Sequence, residues 1–272
     1  MKTILVTGAS GNLGRAAVAA LKSAGFSVRA ASRHPLPAEN SVLFDYENHT
    51  THEAAIKGAD GVLLIAPPLD VDAPEKLIPV IDACKFLGVR HIVFNSAFGV
   101  DANEQAPLRI IEHHLMASGV GYTIIRPNFF AENFTTGFLA PMAASGKISV
   151  AAGAGKTSFI STADIAAVVT AAFTEGPHRR QHNITGPAAL NYSEVATLLG
   201  QALGKTVEYQ AISEEEMVQN AIQNGLPASA AQYLAVLYNA VRNGWLGAVT
   251  DVVQQVTGQA PRSLADVLAK RP

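Results

Sequence analysis

VTGASGNLGRAA, residues 6–17, decides the fold. It follows an apolar β-rich run, residues 2–7, and opens a helical pattern over residues 12–24. Gly8, Gly11 and Gly14 therefore fall at a strand-to-helix turn with the spacing G-x-x-G-x-x-G. Each glycine has a separate physical task. Gly8 permits the tight turn, Gly11 lets backbone approach a pyrophosphate, and Gly14 lets helix and strand pack closely. The helix N-terminus offers N–H donors to an anion. In this context the motif predicts a dinucleotide site built from Gly8, Ser10, Gly11, Asn12 and Leu13.

Downstream, apolar runs at 27–32, 41–45, 61–66, 91–96 and 122–125 alternate with helical patterns at 74–87 and 107–118. Strands separated by helices imply right-handed crossovers and parallel pairing. The fold class expected is α/β, a Rossmann-type doubly wound parallel sheet with a smaller, mainly helical C-terminal lobe. Residues 1–128 form the dinucleotide domain, and 159–186 return to the sheet with a helix at 161–174 and a strand at 181–185. Residues 129–158 and 187–272 form the lobe, with one further strand at 206–211.

Composition narrows the function classes. The 272 residues are 49% hydrophobic and 15% charged, with a net charge of −2. No basic footprint for nucleic acid or an anionic membrane is present. The opening apolar run is too short for a signal-peptide core or a membrane span. The one cysteine, Cys84, excludes an internal disulfide and fits a cytoplasmic location. No His, Cys, Asp and Glu set has metal-ligand spacing, so no metal is expected. A small-molecule partner and a monomer or homodimer are the expectation.

Cofactor choice is written at the end of the second strand, in RAASRHP. An NAD site usually places a carboxylate there for the ribose 2′-hydroxyl, whereas this chain offers Ser32, Arg33 and His34. Arg33 either forks onto a 2′-phosphate, so that NADP(H) is preferred over NAD(H), or is a solvated loop residue. Asp45 either touches the adenine edge or caps the following turn. Ala66 and Pro67 end a strand beside the pyrophosphate position.

TGASGNLG, ASR, FDY, LIAPPL, the strand ending NSA, SGVGYTIIRPNFFAENF and FISTADIAAV occur in this order. That series resembles the NmrA-like branch of atypical short-chain dehydrogenases over nearly the whole chain. Pro67-Pro68, ITGPAALNYSEVA and TGQAPRSLADVL are most similar to festuclavine and agroclavine dehydrogenases. The glycine loop and Arg126-Pro127 also resemble triphenylmethane reductase and NAD(P)H:quinone oxidoreductases. The resemblance implies that the glycine loop, Arg33, Ala66 and Ser96 hold NADPH, and that the segment with Asn128, Phe129 and Phe130 lines the acceptor pocket. Relatives often carry Lys or His four residues before the glutamate matching Glu112, where this chain has Leu108.

The proton source is the open question. A carbonyl reductase of this superfamily uses a Tyr with a Lys one helical turn later, because an alkoxide must be protonated. None of the six tyrosines has such a lysine. In RIIEHHLMASG, residues 109–119, the 100° helical step puts Leu108, Ile111 and Leu115 on the buried stripe. His113 is nearly opposite, and His114 at the flank is either a core-edge residue or a proton donor. Ser96 is either the hydroxyl that bonds the acceptor or a backbone cap. Two functions follow. One is an oxidoreductase delivering hydride to an electron-poor acceptor such as an iminium or quinone, with an aromatic pocket of Phe98, Phe129, Phe130, Phe134 and Tyr233. The other is a non-catalytic redox sensor of the NmrA type.

Overall fold

β1 (Thr3–Val6) is the buried apolar run before the glycine turn, and α1 (Asn12–Ser23) follows it with Leu13, Ala17 and Leu21 on its inner stripe. The computed structural model describes residues 1–34 and 40–270. In chain order come β2 (Ser27–Ser32), β3 (Ser41–Leu43), α2 (Thr50–Ile56), β4 (Gly61–Ile65), α3 (Ala73–Phe86), β5 (His91–Asn95), α4 (Pro107–Ala117) and β6 (Gly121–Pro127). Then follow α5 (Ala140–Ser145), β7 (Lys147–Val150), β8 (Lys156–Thr157), α6 (Thr162–Glu175), β9 (Arg180–Ile184) and β10 (Leu190–Asn191). The chain ends with α7 (Tyr192–Leu203), β11 (Glu208–Ala211), α8 (Glu214–Gln223), α9 (Ala228–Arg242), α10 (Val252–Thr257) and α11 (Leu264–Ala269).

Contacts divide the chain into Met1–Pro127 with Thr162–Asn183, and Asn128–Ser161 with Ile184–Pro272. In the first unit the strands run in the order β3-β2-β1-β4-β5-β6-β9. β1 pairs in parallel with both β2 and β4, and β4–β5 and β5–β6 are parallel as well. The sheet is therefore the doubly wound Rossmann type, with the order reversing at β1. β5 is buried at every position, the signature of a central strand covered on both faces. Leu64, Ile92 and Phe94 pack on one face against Leu77, Ile81 and Cys84 of α3 and Ile111 and Leu115 of α4. On the other face α6 lies beside α1.

The second unit is built from short elements. β7 pairs in parallel with β11, and β8 pairs antiparallel with β10. Asn191 and Glu194 form a capping box at the start of α7, and Ser213 caps α8 by accepting from the Glu216 amide. The Gly153–Thr157 stretch, GAGKT, ends in β8 and is followed by no helix, so it has no phosphate-loop geometry. Sequence periodicity did not disclose α2, α5 or β7. They run for only four to seven residues, too short for a repeat to show. Among the described residues, no helix is long and apolar enough to cross a membrane.

Candidate functional site

The glycine loop sits at the carboxyl end of β1, where the strand order reverses. Gly8 has φ +60°, a left-handed conformation that a side chain resists. A Cβ at Gly14 would lie 2.1 Å from the Gly8 carbonyl oxygen and 2.7 Å from Ala9 Cα. Gly14 is thus required for packing of the helix onto the turn itself. Gly11 precedes α1, whose first turn has neither a side-chain cap nor an acidic residue. Uncapped N–H groups at the positive end of the helix dipole suit an anion. A turn that excludes a Cβ at Gly14 and resists one at Gly8, beside uncapped N–H groups, fits a dinucleotide pyrophosphate.

The neighbouring strand ends are fixed by side chains. The Thr7 hydroxyl donates to Leu63 O at 3.0 Å and accepts from the Ile65 amide at 2.9 Å. The Tyr46 hydroxyl donates to Ile65 O at 2.6 Å. Ala66 and Pro67 follow, half-buried, and Leu69 just beyond has φ +56°. A branched side chain held in the left-handed region is local strain beside the site. Asp45 caps its turn by accepting from the Glu47 amide at 3.1 Å, while its carbonyl meets His52 Nε2 at 2.8 Å. Arg33 is exposed at the end of β2 and pairs with no carboxylate among the described residues.

At the end of β5, Ser96 is 4% exposed and its hydroxyl has no partner in hydrogen-bonding geometry. The Asn95 side-chain oxygen is likewise buried without a partner. Beside Ser96 stands Glu112 of α4, fully buried. Arg126 Nε donates to its Oε1 at 2.8 Å and Nη2 to its Oε2 at 2.7 Å, and Arg109 Nη1 adds a third bond at 3.0 Å. Burial alone would raise this carboxyl. The bonds from Arg126 and Arg109 outweigh it, so Glu112 titrates below the ordinary glutamate value. Arg126 also reaches Asp101 and Gln181, each at 2.7 Å, and so joins β6, α4, the loop after β5 and β9.

The two histidines of α4 lie elsewhere. His113 meets Glu104 on the exposed side, and His114 Nε2 is 2.7 Å from Asp82 of α3. Burial raises the phenols of Tyr46, Tyr192, Tyr209, Tyr233 and Tyr238. No lysine stands one turn after a tyrosine to reverse that shift.

The pocket residues expected in the second unit differ among themselves. Phe134 is completely buried, edge-on to Phe159 at 5.2 Å and near Tyr192 at 6.3 Å, so its ring forms core and no open wall. Asn128 is 2% exposed and its amide is fully engaged. Nδ2 donates to Ser158 Oγ at 2.8 Å and Leu246 O at 2.9 Å, and Oδ1 accepts from the Phe129 amide at 2.8 Å. Its task is to hold the segment after α9 in place. Phe129, Phe130 and Tyr233 are half-buried, and Phe98 in the first unit is too.

Sequence reasoning did not find the Glu112–Arg126 pair, although a signal existed. Glu112 lies four residues after Leu108 and three before Leu115, inside the apolar stripe, where a charge must have a partner.

A parallel sheet reversing at β1 and a glycine turn leading straight into α1 form a Rossmann-type dinucleotide-binding fold. The chain belongs to the NmrA-like family, which matches residues 1–243. It is 34% identical to the uncharacterized oxidoreductase YesF of Bacillus subtilis (strain 168), over 98% of this chain and 94% of that one. It is 32% identical to agroclavine dehydrogenase of Claviceps fusiformis, over 98% and 96%. The NADPH-dependent quinone oxidoreductase QOR2 of Escherichia coli, solved with NADPH, superposes with a TM-score of 0.83 at 25% identity, covering 98% of each chain.

Proposed function

We propose that this NAD(P)H-dependent oxidoreductase prefers NADPH and delivers hydride to an electron-poor, conjugated small molecule such as an iminium or a quinone, using no enzymic acid. The observation that carries the reading is the state of Glu112. It is the ionisable group beside Ser96, and it is ionised, buried and bonded to two arginines. A carboxylate held in that way has no proton to give to an alkoxide.

The glycine loop and the first turn of α1 would hold the pyrophosphate, Arg33 the 2′-phosphate, and the backbone at Ala66 and Pro67 the far side of the dinucleotide. The bound nicotinamide supplies the hydride. Ser96 donates its free hydroxyl to the acceptor or the cofactor amide. Hydride addition to an iminium gives a neutral amine and needs no proton, and a reduced quinone takes its proton from water. Orientation then supplies most of the rate. The names of the relatives, a clavine dehydrogenase and a quinone oxidoreductase, agree with such acceptors.

The test is NADPH consumption with iminium salts, quinones and simple ketones of matched size. Turnover of the first two and not the third is expected. Ketones reduced as fast as iminium salts, or no turnover of any acceptor, would remove the proposal. For the cofactor, calorimetric titration of NADPH and NADH should show that Arg33→Ala loses about 1.5–3 kcal/mol of NADPH affinity and little of NADH.

A further inference from the structure

We infer that Arg15 is a second cation for the 2′-phosphate and sets cofactor preference together with Arg33; the inference rests on the NADP(H) preference proposed above. The amide of Ala9 donates to Ala31 O at 3.1 Å, so the turn after β1 lies against the end of β2. Ser10 and Ser32 are the next residues on each side, and Arg33 follows at once. Arg15, in the first turn of α1, folds back toward the helix N-terminus, the direction helical side chains take. Its Nη1 donates to Ser10 O, and its Nη2 donates to Asn12 Oδ1 at 2.9 Å. The guanidinium is therefore parked on the same rim as Arg33.

Charge makes this placement informative. Both acceptors of Arg15 are neutral, and neither Arg15 nor Arg33 meets a carboxylate among the described residues. A cation in the first helical turn also opposes the macrodipole. Arg15 and Arg33 thus flank one turn beside the positive end of a helix. A phosphomonoester, carrying about −1.5 to −2 charges at neutral pH, would pair with the guanidiniums and offset the dipole opposition. Two of the five N–H donors of Arg15 hold its position, and the others stay available for phosphate oxygens.

The experiment titrates adenosine 2′,5′-bisphosphate and 5′-AMP calorimetrically into the full chain and its Arg15→Ala, Arg15→Gln and Arg33→Ala variants. Gln can still donate to Ser10 O, so Arg15→Gln retains part of the latch and removes the charge. Both Arg15 variants are expected to weaken the bisphosphate about tenfold or more while 5′-AMP changes little. Equal losses for both ligands would mean that Arg15 only shapes the loop, and would overturn the inference. So would unchanged bisphosphate binding in Arg15→Gln. If the unmodified chain binds the two ligands equally, the NADP(H) preference itself fails. If it discriminates and only Arg33→Ala abolishes this, the preference stands and the role of Arg15 falls.

Discussion

Arg126 and Glu112 meet edge to edge, two guanidinium nitrogens on two carboxylate oxygens at 2.8 and 2.7 Å, with both side chains sealed from water. Removing one member of such a pair strands the other charge in a low-dielectric interior. Glu112→Gln should therefore lose about 3–5 kcal/mol of stability in urea unfolding. The double variant Glu112→Leu with Arg126→Met should lose less than the sum of the single changes. Additive losses would show that the two side chains do not depend on each other.

Gly14→Ala tests the cradle. With 2.1 Å between the new Cβ and Gly8 O, α1 must move away from the turn. The variant is expected to melt lower and to bind NADPH at least tenfold more weakly, as read by thermal unfolding and calorimetry. Wild-type affinity in a folded Gly14→Ala protein would place the dinucleotide elsewhere.

Acid should weaken the first unit through His91. Its ring is buried edge-on to Phe173 at 5.2 Å, with Nε2 at 3.0 Å from the Thr123 hydroxyl. Burial, followed by the charges of Lys2 and His178, pushes the imidazole from 6.5 down to about 4. The unfolded chain takes up the proton first as pH falls. This contribution is complete above pH 6.5 and is lost toward pH 4, about 3 kcal/mol in all. His91→Gln keeps a polar group near Thr123 and should flatten that limb of stability against pH. An unchanged slope would assign the acid sensitivity to other groups.

Asn128→Ala should loosen the segment it grips. The chain has one tryptophan, Trp245, next to Leu246 and 66% exposed. Its fluorescence anisotropy is expected to fall in the variant, along with stability by about 1–3 kcal/mol for the acceptors and donors left unpaired. Equal anisotropy in both proteins would show that the segment is held by other contacts.

Cys84 should be silent in the folded chain. Burial pushes its thiol up to about 12, so a disulfide reagent should react only after denaturant is added. Rapid labelling of native protein would contradict the packing of α3.

The sheet was legible because each strand carries its own local signal. β1, β4 and β5 are continuous apolar runs bounded by glycine or polar residues, and the Gly8–Gly14 spacing marks the turn unaided. The charged cluster was not legible. Arg126, Asp101, Glu112 and Gln181 come from four separate parts of the chain, and only the folded sheet makes them neighbours. The same limit hid the second unit's short pairings. The strand expected at 206–211 is β11, but its partner β7 is far away in sequence and too short to carry a period of two. Asn128 shows a different gap: its bonds to Ser158, Leu246 and the Phe129 amide join distant parts of the chain and leave no mark in the local sequence.

The last strand of the main sheet, β9, enters after the chain has left the sheet at Pro127, built part of the second unit and returned through α6. During synthesis the ribosome releases β1 to β6 before that strand exists. The nascent sheet must wait with the edge of β6 unpaired and the Gln181 partner of Arg126 not yet made. A chain stalled or truncated before residue 180 would expose a sticky strand edge, making it a client for chaperones and a starting point for aggregation.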